Sequence, residues 1–168
     1  VAAALAHRSD TTQLADVAQL AYHFARAREW TPALVQGWRA AQTALAAGAL
    51  AEANRYAEDA QQILDAHAAD LDRGSLPVPL AALHFDLVAL RAEFRRQAAT
   101  GGLSYPADLM ETIDALLPDV DEARQAQASL QRAMHLLGKG RLPEAEEAAQ
   151  RGRALYTRLG DRNGEQRA

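Results

Sequence analysis

The chain has 168 residues, a formal net charge of −4 and no cysteine. Nucleic-acid binding needs a concentrated basic surface, so this charge balance argues against direct nucleic-acid contact, and the lack of cysteine excludes disulfides and thiolate metal sites. No apolar run approaches the roughly 20 residues of a membrane span, so we expect a cytoplasmic protein. Alanine supplies 40 residues, which favours helices with a thin core, because each alanine buries little apolar area.

The N-terminal part predicts one helix fragment and one complete helix. The sequence starts at Val1 within the apolar run VAAALA, so we interpret the chain as a fragment of a longer multidomain protein. Residues 9–12 are good capping residues, and they predict a helix from near Thr11 to about Ala27. Its apolar face has the spacing i, i+3, i+4 and i+7. The residues at these positions are Val17, Leu20, Ala21 and Phe24.

Two more helices are predicted at about 31–47 and 50–67. Thr31 is the expected N-cap of the first, followed by Pro32 at a position that needs no N–H donor. Gly48 is expected in a left-handed turn after it. Small residues allow neighbouring helices to approach closely. On the first helix they are Ala33, Gly37, Ala40, Ala41 and Ala44, and the second repeats the pattern with Leu50, Ala53, Ala57, Ala60 and Leu64.

A loop at 68–79 precedes a long helix with leucines at alternating three- and four-residue spacing. Leu80 opens this seam, and Leu83, Leu87, Leu90 and Phe94 continue it. The seam is suited to packing inside the helical array. The alternative is self-association into a homo-oligomer through the last four of these residues.

The remaining sequence predicts three further helices and the start of another. A short helix restarts after the glycines at 101–102 and stops at Pro118. Helices at about 119–138 and 142–159 follow, joined through the glycines and lysine at 138–140, and Asp161 is the expected cap of a last helix. The total is about seven complete helices.

The spacing of these helices resembles the tetratricopeptide repeat, a 34-residue helix pair. The pattern can begin at Leu14, again at Leu34 and a third time near Ala126. In the first register Arg28 stands where a turn glycine is usual, and Gly37 where an aromatic is usual. The key positions of that register are occupied by Val17, Leu20, Ala21, Phe24, Trp30, Ala33, Gly37 and Ala40.

The resemblance implies an all-α, right-handed α-solenoid of antiparallel helix pairs, forming a single repeat domain over residues 1–168. It also implies ligand binding on the concave face formed by the first helix of each pair. The candidates on that face are Gln19, Tyr22 and Arg26 in the first pair and Leu130, Gln131 and Met134 in the last. Tyr22 and Arg26, four residues apart, suit recognition, although packing of the two within one helix is the simpler explanation.

Motifs for catalysis are scarce. The five histidines lack the spacing of a metal site, and neither a phosphate-binding loop nor a nucleophile elbow is present. The Gly138-Lys139-Gly140 run is better explained as a helix–helix turn. We therefore expect a non-catalytic protein without a metal or cofactor.

A second resemblance concerns the order of the segments. A tail like VAAALA, then LAYHFARAREWTPAL, a leucine helix and a close on RLGDRNGEQRA resemble the helical arm of large bacterial signalling ATPases, the maltose-regulator-like transcription activators and their cyclase-linked relatives. This likeness implies a sensor or scaffold arm that binds a protein partner or neighbouring domains of its own chain. The alternative is a small-molecule sensor. A concave pocket with converging Tyr and Arg side chains would favour the sensor, and a flat apolar stripe would favour assembly.

Overall fold

The computed structural model describes residues 16–99 and 104–167, and within these ranges all regular secondary structure is helical. This confirms the predicted all-α class, and the eight helices described there roughly fit the predicted seven. The helices are α1 (16–26), α2 (Trp30–Ala46), α3 (Leu50–His67), α4 (Leu80–Ala98), α5 (Ala107–Leu116), α6 (Glu122–Gly138), α7 (Leu142–Leu159) and α8 (Arg162–Arg167). Short 3₁₀ turns occur at Arg73–Ser75 and Leu117–Asp119. No helix in the described ranges is both long and apolar enough to cross a membrane.

The chain divides into two compact units, Val1–Arg91 and Ala92–Ala168, with the boundary inside α4. The single repeat domain expected over 1–168 stays a prediction. Three expected features lie outside the described residues, namely the helix end at 1–6, the helix start near Thr11 and the glycine stop at 101–102.

The core of the first unit is built from α2, α3 and the part of α4 up to Arg91. Leu34 of α2, Leu64 of α3 and Leu83 of α4 belong to one buried cluster. Leu87 and Leu90 complete its α4 side, so three of the four residues predicted for self-association fill the core of their own unit. Phe94, the fourth, is half-buried in the second unit. The structure thus shows the packing use of the leucine seam, and self-association stays a prediction.

The helices α2 and α3 approach each other closely at Gly37. A Cβ placed on Gly37 would lie only 3.1 Å from the Cβ of Ala60. The small residues of both helices are buried here, with Ala33, Ala40 and Ala57 each 0% exposed. The sequence pattern of small residues therefore marks real helix–helix contact, as expected for backbones packed near the short end of the usual range.

Two predicted helix starts are wrong. Thr31 is not the N-cap of α2, which begins at Trp30 without any side-chain cap. The Thr31 hydroxyl instead accepts a 2.8 Å hydrogen bond from the backbone N–H of Asp72, because the loop after α3 packs over the first turn of α2. The start of α6 is Glu122 and not residue 119, since the chain first makes the 3₁₀ turn Leu117–Asp119.

Left-handed backbone conformations end the helices where glycine predicted them. Gly48 follows α2 with φ 75°, and Gly140 and Gly160 follow α6 and α7 with φ 72° and 68°. Arg28, in the turn between α1 and α2, has φ 60° and is the one non-glycine residue with positive φ among the described residues. The tetratricopeptide pattern prefers glycine at this position. Arg28 therefore adopts a left-handed conformation that is strained for a residue with a side chain.

The second unit contains a comparable helix pair, α6 and α7. Ala133 and Leu136 pack against Ala145 and Ala148. The two helices also approach closely at Gly152, where an added Cβ would lie 3.3 Å from the Cβ of Ser129. Carboxylates cap the helices at both ends of this pair, and the cap at Asp161 was predicted. Asp121 accepts from the N–H of Arg124 at 3.0 Å, and Asp161 accepts from the N–H of Gly164 at 3.0 Å.

Replacing Gly37 by valine should destabilise the first unit by about 2 kcal/mol, because the new side chain overpacks the contact with Ala60. Both tryptophans of the chain, Trp30 and Trp38, lie in this unit, so their fluorescence during urea unfolding reports on it alone. Ala46→Val, at an exposed position of α2, is the control and should cost less than about 0.5 kcal/mol. Equal stability of the two variants would contradict the close contact.

Replacing Arg28 by glycine should stabilise the first unit by about 1 kcal/mol, because glycine adopts positive φ without the steric cost of a side chain. Urea unfolding followed by tryptophan fluorescence measures this as well. Ala27→Gly, one residue earlier at a position without positive φ, should give no gain. A loss of stability in Arg28→Gly would show that the side chain, not the backbone, matters at this turn.

Candidate functional site

A groove of about 640 Å³ in the first unit, lined by α1, α2 and α3, is the candidate site. We call it the α1–α3 groove. Its floor consists of Ala33 and Gly37 of α2 and Ala60 of α3, and α1 contributes the small residues Ala18 and Ala21 to one wall. These residues have little or no side chain, so the space above α2 stays open. The features that bring α2 and α3 together thus also create the groove.

An aromatic stack lies at the end of the groove where α2 begins and α3 ends. The rings of Trp30 and His67 are nearly parallel, with an interplanar angle of 7° and centroids 3.6 Å apart. The Nδ1 atom of His67 lies 3.3 Å from a carboxylate oxygen of Asp70, which fixes the orientation of the ring. The groove therefore has a flat aromatic surface at this end.

The α1 wall contains the predicted recognition pair. Tyr22 is 58% exposed, and its hydroxyl accepts a 3.2 Å hydrogen bond from Nη1 of Arg26. The guanidinium carbon of Arg26 also lies 5.8 Å from the centroid of the Tyr22 ring. Gln19 and Tyr22 line the groove, whereas Arg26 contacts Tyr22 and is not a lining residue. The structure thus brings the three α1 candidates together and places two of them in the site.

The α3 wall was missed by sequence reasoning. Arg55, Asp59 and Gln62, spaced i, i+4 and i+7, line the groove together with Tyr56. The guanidinium carbon of Arg55 lies 4.8 Å from the centroid of the Tyr56 ring. The repeat register that starts at Leu34 makes α3 the second helix of a pair, which removes it from the expected binding face. The polar spacing on α3 was the available signal.

The electrostatics of this wall are mixed. Burial raises the pKa of Asp59, the positive charge of Arg55 partly offsets this effect, and the negative charge of Glu58 adds to it. Arg55 and Asp59 lie one helical turn apart, so the wall offers a cation and a carboxylate to the same ligand. Such a wall suits a ligand with both donor and acceptor groups.

The candidates on α6 belong to the second unit and are less accessible. Gln131 is only 6% exposed, and Leu130 and Met134 are half-buried. The Met134 sulfur lies 3.9 Å from the hydroxyl of Tyr105. Their predicted role in binding is not tested by this placement.

The second unit holds a polar cluster around Glu93. The carboxylate accepts hydrogen bonds from the Tyr105 hydroxyl at 2.6 Å, from the Gln97 amide at 2.6 Å and from Arg96. Burial alone would raise the pKa of Glu93, but the hydrogen bonds from Arg96, Gln97 and Tyr105 lower it to about 2. Arg96 and Gln97 belong to α4 itself, and Tyr105 ties the chain before α5 to that helix. The cluster therefore stabilises the unit and presents no reactive group.

A serine and a histidine also meet in this unit. The hydroxyl of Ser104 lies 3.1 Å from Nδ1 of His135, and burial lowers the pKa of that imidazole. No carboxylate among the described residues hydrogen-bonds to this ring, so the orienting group of a hydrolytic triad is missing from the described part. Gly138 lets the backbone of Ser104 approach within 3.0 Å of where a Cβ would stand. The pair anchors residues 104–106 to α6.

Within the described ranges, no group of three or more His, Cys, Asp or Glu side chains is arranged to hold a metal ion. Comparison of the chain with protein-family models, curated proteins and solved structures finds no match. The geometry of the α1–α3 groove and the resemblance in sequence pattern are therefore the features that bear on function.

The lowered pKa of Glu93 predicts acid sensitivity of the second unit. Its folded pKa is about 2 and its ordinary value is 4.5, so the stabilising contribution is present above pH 4.5 and is lost as the pH falls towards 2. With allowance for partial exposure, we expect the unfolding free energy to drop by about 1–2 kcal/mol between pH 5 and 2.5. Amide hydrogen exchange of α6, recorded across this pH range, measures the unfolding free energy of the second unit. Glu93→Gln should remove this part of the pH dependence, and an unchanged dependence would contradict the assignment.

Proposed function

We propose that this chain is a non-catalytic recognition module with a tetratricopeptide-like, right-handed α-solenoid architecture. It acts as the sensor or scaffold arm of a cytoplasmic bacterial signalling or transcription-regulating ATPase. The repeated use of tight turns and small residues at helix contacts, as at Gly37 and Gly152, supports the architecture. The order of segments described above supports the parent protein. The module binds no nucleic acid and needs no cofactor.

The observation that carries this proposal is the α1–α3 groove. Its floor is apolar and nearly free of side chains, while its rim presents Tyr22, Arg55, Asp59 and the amides of Gln19 and Gln62. An extended protein segment fits such a surface, because alternate side chains point in opposite directions and its backbone needs hydrogen-bond partners along both edges. The first candidate ligand is therefore a protein segment, from a separate partner or from a neighbouring domain of the same chain.

A small polar molecule is the second candidate ligand. The groove volume of about 640 Å³ lies within the roughly 300–1,000 Å³ of typical small-molecule sites. Tyr22, Tyr56 and Arg55 all line it, which is the arrangement of converging Tyr and Arg side chains expected for a sensor. The flat Trp30–His67 stack adds a surface on which a planar ligand can pack.

Filling the groove tests both candidates. In Ala18→Trp the new indole occupies the α1 wall, and in the control Ala51→Trp an equal indole is added at an exposed position of α3 outside the groove. Peptides selected from a displayed random library on the wild-type chain should bind Ala51→Trp equally and Ala18→Trp at least about tenfold more weakly. Circular dichroism verifies that both variants are folded.

The same two variants separate the candidates. Incubation of the wild-type chain with a metabolite extract, followed by native mass spectrometry, shows whether a small molecule is retained. A retained molecule that is lost in Ala18→Trp, with no peptide selected, establishes the small-molecule sensor. Selected peptides that bind both variants equally would refute the groove as the binding site.

A further inference from the structure

The side of α3 that packs against α4 carries a partly buried polar bridge. Gln61 is 6% exposed, and its amide nitrogen donates to a carboxylate oxygen of Asp65 at 2.8 Å. The same nitrogen lies 3.0 Å from Nε2 of His84 on α4. We call these three residues the Gln61 bridge. The buried cluster beside it consists mainly of leucine and alanine.

The geometry of the bridge fixes the protonation state of His84. A side-chain amide nitrogen has two N–H groups, and here each one has an acceptor, the Asp65 carboxylate and the His84 ring. The ring nitrogen can accept only when it carries no proton. The bridge therefore selects neutral His84 with its proton on Nδ1.

Protonation of His84 breaks the present arrangement. A proton on Nε2 would face the N–H groups of Gln61, donor against donor. Turning the amide would place its oxygen against the proton, but also 2.8 Å from the Asp65 carboxylate, so the exposed Asp65 side chain would have to leave the bridge. Among the described residues the Gln61 oxygen has no hydrogen-bond partner. The present arrangement therefore leaves one acceptor unsatisfied while both N–H donors are satisfied.

The environment of His84 also favours the neutral ring. Burial lowers the pKa of the ring most, Asp65 on α3 raises it, and Arg91 on α4 lowers it, so the result lies below the ordinary value of 6.5. The contribution to stability is therefore present above pH 6.5 and is lost as the pH falls below it. The charged groups that act on the ring thus come from both helices, Asp65 from α3 and Arg91 from α4.

We propose that the Gln61 bridge is a proton-sensitive latch, in which protonation of His84 breaks the contact and loosens α4 from α3. The helix α3 also forms the rim of the α1–α3 groove through Arg55 and Asp59. Opening of the latch therefore changes the groove, and this last step rests on the proposed function. The module would then respond to mild acidification through the protonation of His84.

Nuclear magnetic resonance of the full, unliganded chain tests the latch. In the wild-type chain the nitrogen shifts of His84 should show the Nδ1–H tautomer at pH 7.5 and a titration midpoint below 6.5. Amide exchange of α3 and α4 should accelerate with the same midpoint. The other tautomer, or exchange that does not change during the titration of His84, would overturn the proposal even if no variant folds.

Gln61→Glu should raise the pKa of His84 instead of lowering it. A carboxylate at this position accepts from protonated His84, so the midpoint should rise by about 1 pH unit or more relative to the wild-type chain. Gln62→Glu is the matched control, with the same added charge one residue along the same helix but in the groove. It should move the midpoint by less than about 0.3 units. Equal shifts of the His84 midpoint in the two variants would mean that any added negative charge nearby has this effect, and they would refute the bridge.

The groove is followed in the same spectra through the amides of Gly37 and Ala60 at its floor. Their resonances should shift with the midpoint of His84 in the wild-type chain and with the raised midpoint in Gln61→Glu. A latch that opens without any change at these amides would overturn the coupling to the groove. Failure to find a ligand would leave these measurements intact, so the two proposals fail separately.

Discussion

The close contact between Gly37 and Ala60 determines both how α4 packs in the first unit and where the groove lies. Two helices that meet on a glycine and an alanine pack backbone against backbone, and they contribute very little apolar area of their own. The leucines of α4 supply the missing area, since Leu83 and Leu87 are almost completely buried against this pair. The close contact and the leucine seam therefore depend on each other. The pair explains why α4 is so rich in leucine while α2 and α3 are rich in alanine.

The same contact leaves space on the opposite side. Larger side chains at Ala33, Gly37 and Ala60 would fill the volume above α2, and no groove would exist. The helix α3 consequently has three different faces. Its alanines contact α2, Gln61 contacts α4, and Arg55 and Asp59 face the groove. Because an α-helix moves largely as a rigid body, the proposed opening on the α4 side would reach the groove side through α3 itself.

The parts of the fold that sequence predicted well are those with local causes. The bounds of α3 and α7 follow from glycine turns and helical spacing within a few residues, and Asp161 caps α8 through a neighbour three residues away. Thr31 failed as a predicted cap because its partner, the N–H of Asp72, is 41 residues away. The α3 wall of the groove was missed for a related reason. Two repeat registers overlap on these helices, and spacing alone does not decide which helix of a pair faces the ligand.

The chemistry of position 61 is hard to explain by stability alone. Leu64, one turn further along the same helix, is a core residue, and a leucine in place of Gln61 would bury apolar area without leaving an oxygen unsatisfied. An unsatisfied buried acceptor costs about 1–3 kcal/mol, a large share of the stability of a small unit. Glutamine at position 61 is therefore less favourable for folding stability than leucine. Its advantage is that its hydrogen bonds depend on the protonation state of His84. A group that is satisfied in only one protonation state of His84 makes the packing of α3 on α4 conditional, which an apolar side chain cannot do.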